Sequence, residues 1–438
     1  MDVLVVGGGG REHALVSGLR RSPGLGRLFC APGNAGIGRD ATPVSIEAED
    51  IEGLADFALR EAIDLTVVGP EAPLVAGIAD LFRRRGLTIF GPGREAALLE
   101  GSKAFAKEVM AAAGVPTGAA RAFADLESAS AYVQAHGAPL VIKADGLAAG
   151  KGVTVAQTTE EAEAALRACF LEDRFGPAGR TVLVEECLVG EEVSFLAILS
   201  DGQVLPLEPA QDYKRIFDRD QGPNTGGMGC YSPVPSFTPT LREQVIRSVV
   251  KPTVAELERR AISFRGVLYA GLILTSGGPK VLEFNCRFGD PETQALIPRL
   301  RTNLLQVLWA AARGETLPLE GEWSSGPCVG VVMASRGYPA SSSKGDVVSG
   351  LDRAAAVPGV QVFHSGTASI DGTVVTAGGR VLTVSALGQS FAEARRLAYR
   401  AVAAIDFPGA QHRTDIALRA EQSEVSGKER RDGGPTDA

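Results

Sequence analysis

The chain lacks the marks of several protein classes. No apolar run in its 438 residues approaches the length needed to span a bilayer. The N-terminus has no basic stretch before its apolar residues. Met1-Asp2-Val3-Leu4-Val5-Val6 enters a glycine turn at once, which reads as a buried strand and not a signal peptide. The six cysteines show no CxxC pair or metal-finger spacing, and several stand inside apolar runs, so they read as reduced core residues. The four histidines form no local cluster, which argues against a histidine-built metal site. Positive charge is in deficit: 44 Lys and Arg against 52 Asp and Glu leave a net −8. That balance argues against nucleic-acid or anionic-membrane partners but leaves small anions open, since these need only local cations. No Ser/His/Asp or Cys/His arrangement and no internal repeat is recognisable. With 45% hydrophobic and 22% charged residues, the expectation is a cytoplasmic globular protein of two to four domains.

Residues 1–101 alternate strand and helix patterns. Strands are expected at 3–6, 27–30, 64–69 and 87–90, with a helix over 11–20, which predicts a doubly wound parallel sheet. Ligands bind such sheets beyond the carboxyl ends of the strands, here at residues 7–12, 31–34, 69–73 and 91–93. A helix is expected over 102–118. Residues 119–188 read as a small α+β unit, 189–318 as further strands and two helices (239–260 and 292–314), and 322–420 as a mixed, β-rich C-terminal unit. Residues 421–438 are polar, without apolar pattern, and are expected to be a disordered tail.

The most informative stretch is Val281-Leu282-Glu283-Phe284-Asn285-Cys286-Arg287-Phe288-Gly289-Asp290-Pro291-Glu292. Alternation along a strand puts Glu283, Asn285 and Arg287 on one face and Leu282, Phe284 and Cys286 on the other. A carboxylate and an amide oxygen roughly 6–7 Å apart suit a hard divalent cation, and the arginine suits a phosphate or carboxylate beside it. The bland alternative is an edge strand with a solvated polar face.

Other motifs surround this one. Val3-Leu4-Val5-Val6-Gly7-Gly8-Gly9-Gly10-Arg11-Glu12 invites a dinucleotide reading, but the third glycine of G-x-G-x-x-G is replaced by Glu12. No acid follows the second strand to hold a ribose. A ligand phosphate at the helix N-terminus, assisted by Arg11, fits better, with a purely structural glycine turn as the alternative. Lys143-Ala144-Asp145-Gly146-Leu147-Ala148-Ala149-Gly150-Lys151-Gly152 is one spacer short of a P-loop, and Gly152 replaces the Ser/Thr that binds magnesium. It reads as a glycine-rich flap between antiparallel strands, able to fold its N–H groups over phosphates, or as a plain hairpin with a flexible tip. Val182-Leu183-Val184-Glu185-Glu186-Cys187-Leu188, ahead of Glu191-Glu192, could offer extended backbone to an adenine edge and acids to a ribose, or could be merely solvated. Gln211-Asp212-Tyr213-Lys214-Arg215 followed by Gly222-Pro223-Asn224-Thr225-Gly226-Gly227-Met228-Gly229 could hold a substrate ammonium with close backbone approach.

Together, the flap after a strand lysine, the Glu pair and the Glu-x-Asn strand resemble the ATP-grasp ligases. The ordered strings GGREHA, APGNAG, VGPEAPL, EGSKAF, KADGLAAGKG, GPNTGGMG, LEFNCRFGDPETQ, FHSGT and GGRVL, spanning residues 1 to about 418, are similar to the phosphoribosylamine–glycine ligase family. The resemblance implies an α/β and α+β multidomain fold: an N-terminal doubly wound domain (1–101), an ATP-grasp main domain (102–118 and 189–318), a flap subdomain (119–188) and a C-terminal mixed domain (322–420). It implies ligation of glycine to 5-phosphoribosylamine with ATP and Mg²⁺ or Mn²⁺, by a monomer or weak homodimer. Lys103 and Lys143 would touch ATP phosphates under the Gly150-Lys151-Gly152 flap. Glu185 and the backbone near Leu188 would bind adenine, and Glu192 the ribose. Glu283 and Asn285 would hold the metal. Arg287, Asp212, Lys214, Asn224 and Asp290 would surround glycine and phosphoribosylamine, with Gly9, Gly10, Arg11 and Glu71 enclosing the latter. Lys143 and Arg287 would neutralise charge during catalysis. Three departures bear on the substrate loops: Gly8 stands where the family often has Asn, Tyr213 where it has His, and the stretch 216–221 is altered. Residues 268–275, on the preceding strand, carry no acid, so the other metal ligands should be phosphates and water. Rival readings are another ATP-grasp ligase, a nicotinamide dehydrogenase and a non-catalytic nucleotide-binding regulator.

Overall fold

Val3–Gly7 is wholly buried and becomes the centre of a parallel sheet, flanked by Leu28–Pro32 and Leu65–Val68. Thr42–Pro43 and Ile89–Phe90 complete the edges, giving the chain-order pattern 3-2-1-4-5. The computed structural model describes residues 1–147, 152–172 and 174–432. The parallel doubly wound sheet expected from the sequence is present. Thr42–Pro43 escapes a pattern search because two exposed residues carry no periodicity.

Three antiparallel or mixed units follow. Ala120–Phe123, Val182–Glu186, Leu140–Ala144 and Val153–Ala156 form one antiparallel sheet, backed by the helices Leu126–His136 and Thr159–Phe170. Gln203–Pro206, Glu191–Ser200, Arg265–Thr275 and Gly278–Asn285 form the central sheet. The last sheet joins Cys328–Ala334, Arg380–Leu387 and Val360–His364 to two short strands from far upstream, Gln211–Asp212 and Gly229–Ser232. The substrate-loop motif is thereby built into the C-terminal sheet.

Some expectations change. The helix expected over 292–314 is two helices, Thr293–Arg299 and Leu304–Arg313. Asn303 caps the second by accepting from Gln306 N–H, because an Asx cap competes with a continued helix. Of the tail expected to be disordered over 421–438, the part up to Asp432 lies in a helix, Leu418–Asp432, and 433–438 lie outside the described residues. Its composition is polar, but tertiary contacts hold its start. Ala420 is buried, Glu421 pairs with Arg395 at 2.6 Å, and Glu424 accepts the N–H of Phe391. All six cysteines are free thiols, as the sequence suggested. No described helix is long and apolar enough to cross a membrane.

The sheets are brought together around one seam. Helix Gly10–Arg20 of the N-terminal unit packs on Thr293–Arg299 so closely that a Cβ at Gly18 would lie 2.8 Å from Leu304 and 2.9 Å from Ile297. That approach sets the glycine turn before the helix directly against Asp290.

Candidate functional site

At the carboxyl edge of the parallel sheet, Gly9 N–H donates to Glu12 Oε2 at 2.6 Å, and Arg11 is held by Glu12 Oε1 at 2.6 Å. Arg11 also reaches the carbonyl of Phe288 (3.3 Å) and lies 3.9 Å from Glu71, the first residue of helix Glu71–Ala76. Glu71 in turn accepts from Arg287 at 3.2 Å. Burial opposes ionisation of Glu71, yet Arg287 and Arg11 hold its carboxyl below the usual range. The predicted ligand edge thus meets the end of the Glu-x-Asn strand.

That strand, Gly278–Asn285, stops two residues before Arg287. Its partner pairing slips between Gly271 and Leu272, leaving Leu282 in a bulge. The slip aims the Leu282 carbonyl at Lys143 Nζ, 3.1 Å away, a direct use of a bulge to re-aim a polar group. Glu283 pairs across the sheet with Gly271 and Asn285 with Tyr269, so no carboxylate faces them from the neighbouring strand. Among the described residues no group of three or more His, Cys, Asp or Glu could hold a metal ion. The Glu283 carboxylate makes no hydrogen bond to a described residue. Burial opposes its charge, but Lys214, Lys143, Lys103 and Arg287 together hold its carboxyl below the ordinary value. Two hard oxygen donors on one face, one of them anionic, suit Mg²⁺ or Mn²⁺ if phosphates and water complete the shell.

Arg287 is anchored more firmly than expected. Its guanidinium contacts Glu100 (2.9 Å), Glu71 (3.2 Å), the Phe288 carbonyl (3.2 Å) and Asn285 Oδ1 (3.4 Å), which leaves few of its five N–H donors for a ligand. Glu100 and Glu71 raise its pKa against the effect of burial. For Glu100, burial wins over Arg287 and the carboxyl is raised.

On the flap side, Lys143 is buried and pairs with Glu185 Oε2 at 2.8 Å; Lys107 approaches the same oxygen at 3.4 Å. The other oxygen, Glu185 Oε1, is buried without a hydrogen-bond partner among the described residues. Lys103 donates to the carbonyls of Ala144 and Gly146 at the base of the flap, and burial lowers its pKa. Gly152 is buried and its carbonyl accepts from Ala144 N–H at 2.9 Å. Gly150 and Lys151 lie outside the described residues. Leu188 is half-buried beside Gly118.

On the opposite side, Lys214 Nζ pairs with Glu192 at 3.0 Å and lies 4.0 Å from Asp212. Asp212 is pushed up to about 7 by burial, against Lys214 and with help from Glu292, Glu192 and Glu283. Lys214 is held charged by Asp212. Asn224 pairs with Arg215 across the hairpin Arg215–Phe217 and Gln221–Asn224. Asp290 is bound by Arg380 at 2.9 Å and Gln294 at 2.7 Å; burial opposes its charge, but Arg380 and Arg11 hold its pKa low. A Cβ on Gly10 would strike Gln294, so that glycine permits the close approach; one on Gly9 would sit at ordinary contact from Asp290, 3.7 Å, and press instead on Glu12 at 2.8 Å. Tyr213 points away from this cluster. Its hydroxyl accepts from Ala417 N–H and its ring faces Arg413, so its departure from the family's His does not place it against a ligand. A Cβ at Gly8 would press on the Gly33 carbonyl.

Sequence reasoning missed Lys107, Glu100, Glu292 and Arg380. Each lies in or next to a quoted string, but its partner is remote: Arg380 to Asp290, Glu100 to Arg287, Lys107 to Glu185. Glu292 is buried and accepts from Ser194 (2.8 Å) and Tyr269 (2.6 Å).

Comparisons with known proteins bear on this geometry. Three family models match the chain: phosphoribosylglycinamide synthetase N domain over residues 1–100, its ATP-grasp (A) domain over 101–293 and its C domain over 328–419. A relative from Vibrio parahaemolyticus, named phosphoribosylamine–glycine ligase, is 49% identical over 423 residues, 96% of this chain and 98% of that protein. One of the same name from Mesorhizobium japonicum is 50% identical over 420 residues, again 96% and 98%. A crystal structure of phosphoribosylamine–glycine ligase from Thermotoga maritima superposes with a TM-score of 0.82 at 33% identity, covering 95% of this chain and 100% of that one.

Proposed function

The chain belongs to the phosphoribosylglycinamide synthetase family, and from that membership we infer that it joins glycine to 5-phosphoribosylamine, converting ATP to ADP and phosphate. The product is glycinamide ribonucleotide, a step of de novo purine synthesis. The observation that carries the site assignment is the Glu283 carboxylate, kept ionised by four cations yet without a hydrogen-bond partner among the described residues.

In this reading a glycine carboxylate oxygen attacks the γ-phosphorus of ATP, the bond to the β,γ-bridging oxygen breaks, and ADP leaves. The amine of phosphoribosylamine then attacks the carbonyl of glycyl phosphate, loses a proton, and expels phosphate. Neither step needs a protein nucleophile. The chain supplies alignment and charge. Glu283 and Asn285 would hold Mg²⁺ or Mn²⁺, which when bound neutralises charge on the phosphate oxygens. Lys143 and Lys103 face the phosphates from the flap base. Glu185 Oε1, a buried acceptor without a partner among the described residues, suits the adenine amino group, with the backbone near Leu188 beside it. Glu192 takes the ribose, which would release Lys214 from their ion pair. Asp212 meets the glycine ammonium, and Lys214, Asn224 and a remaining donor of Arg287 meet the carboxylate. Gly9, Gly10, Arg11, Glu71 and Asp290 enclose phosphoribosylamine. The segment joining Leu140–Ala144 to Val153–Ala156, with Gly150, Lys151 and Gly152, excludes water from the acyl phosphate.

We assign the working units as an N-terminal domain (1–101), a main domain (102–118 and 189–318), a flap subdomain (119–188) and a C-terminal domain (322–420). We propose a monomer or weak homodimer in the cytoplasm, a compartment that six free thiols suit. ADP release measured with glycine and freshly generated phosphoribosylamine is expected to require both. Release that persists without glycine, or with bicarbonate or formate in its place, would point to a different ligase.

A pH dependence follows from Asp212. Its carboxyl ionises near 7, and only the ionised form pairs with the ammonium. The kcat/KM for glycine is expected to rise about tenfold per pH unit below that value and to level off above it. The variant D212N should be weak and flat across the same range. A wild-type profile without that limb removes Asp212 from glycine binding.

A further inference from the structure

The C-terminal segment just before helix Leu418–Asp432 is bound to the hairpin that follows Asp212 and Lys214. Arg413 is 1% exposed and uses all three nitrogens of its guanidinium. Nε and Nη2 donate to the two oxygens of Asp415, each at 2.7 Å. Nη1 donates to Asp220 at 2.9 Å and to the Arg215 carbonyl at 3.1 Å. The guanidinium carbon lies 4.6 Å from the centroid of the Tyr213 ring. Neighbouring residues continue the seam. Thr414 N–H donates to Asp218 at 2.8 Å and its hydroxyl donates to the same carboxylate. Asp415 accepts from Arg219 N–H at 2.8 Å, and Ala417 N–H donates to the Tyr213 hydroxyl at 2.9 Å.

Two features suggest that this seam does more than close the surface. Tyr213 sits between Asp212 and Lys214, and alternate residues of an extended segment point to opposite sides. A grip on Tyr213 from behind therefore fixes the two groups in front. In addition, Arg219 (φ 58°) and Asp220 (φ 55°) both hold left-handed backbone without being glycine. Such a conformation persists where its surroundings over-determine it, and here the determinants are Asp415 and Arg413. A planar fork is suited to this task in a way an ammonium is not, because it fixes direction as well as charge.

We propose that Arg413, with Asp415, is a positioning residue of the acceptor site: it clamps the 213–220 segment so that Asp212 and Lys214 stand where glycine is held. The proposal rests on the reading of Asp212 and Lys214 as glycine-binding groups. It makes the C-terminal unit part of substrate selection without touching substrate.

The test compares R413M, R413K and K214A in the full chain, with steady-state kinetics for glycine and calorimetric Kd for ATP measured without glycine. R413M is expected to lower kcat/KM for glycine at least tenfold, mainly through KM, while the Kd for ATP stays within twofold. R413K, which keeps the charge and loses the fork, should fall between R413M and wild type. A folded R413M with glycine kcat/KM within twofold of wild type overturns the clamp, as does an equal weakening of ATP and glycine, which marks general loosening. If R413M does not fold, D218A, which removes both bonds from Thr414 and loosens the same seam, is held to the same two criteria. K214A separates the premises: a loss of glycine kcat/KM in K214A with none in R413M sinks the clamp alone. No loss in K214A sinks the acceptor-site reading and the clamp with it.

Discussion

Replacing Glu283 by Gln is expected to lower glycine- and phosphoribosylamine-dependent ADP release by at least about 10³-fold, with the fold retained. Glutamine keeps the volume and one oxygen but removes the charge that four cations surround. Because the Glu283 carboxylate makes no hydrogen bond to a described residue, its loss breaks no internal bond. The cation partner is the part that suffers, so Mn²⁺ binding in the presence of ADP, followed by electron paramagnetic resonance, should weaken in parallel with turnover. Stability gives an independent reading. The folded pKa of Glu283 is lowered, so its ionised form stabilises the fold above the unfolded carboxylate value, and that contribution is lost as pH falls through the folded value. Wild type should therefore unfold at a higher temperature than E283Q near pH 7, and the gap should close in acid. Near-normal turnover in E283Q would remove this strand from the reaction.

Much of this site was legible in the chain because its residues are local to strings with unusual polarity. Glu283 and Asn285 stand out as polar residues on one face of an otherwise apolar strand, and strand alternation alone puts them together. Lys143 stands out because it leaves a strand into a glycine-rich segment. The N-terminal sheet was legible because each apolar run ends in Gly or Pro. What the chain did not display are partnerships between distant segments. The bulge at Leu282 depends on a slip against Gly271, which no periodicity reports. Arg287 looked free to meet an anion, yet Glu100, Glu71, the Phe288 carbonyl and Asn285 engage its guanidinium. The strands Gln211–Asp212 and Gly229–Ser232 are too short to announce themselves, and they join a sheet whose other strands begin about a hundred residues later. Tyr213 illustrates the same limit: it stands inside a substrate motif, and only the fold shows the Arg413 guanidinium against its ring. The helix at Leu418–Asp432 was missed because its support comes from Arg395 and the backbone of Phe391, not from its own composition.

Lys143 shows how far one buried charge can matter when its partner is also part of the site. The lysine is 6% exposed, paired with Glu185 at 2.8 Å, and hydrogen-bonded to the bulged Leu282 carbonyl. In the proposed reading it would therefore meet the phosphates already oriented, with its charge in a buried setting. Truncation to Ala is expected to reduce kcat/KM for ATP by about 10²–10³-fold, equivalent to about 2.7–4 kcal/mol of transition-state stabilisation. Glu185 keeps Lys107 at 3.4 Å, which limits the damage to the fold and predicts a smaller kinetic loss for Lys107→Ala than for Lys143→Ala. The order of the two is diagnostic. A larger loss at Lys107 would mean that the principal task of the pair is to fix Glu185 against adenine, and a loss below tenfold at Lys143 would argue that it never reaches a phosphate. Lys143→Arg sharpens the distinction. A guanidinium preserves the charge, but its fork cannot keep both the Glu185 contact and the Leu282 carbonyl in the same buried space, so recovery should be partial. Full recovery would show that charge alone, without the orientation set by the bulge, is sufficient.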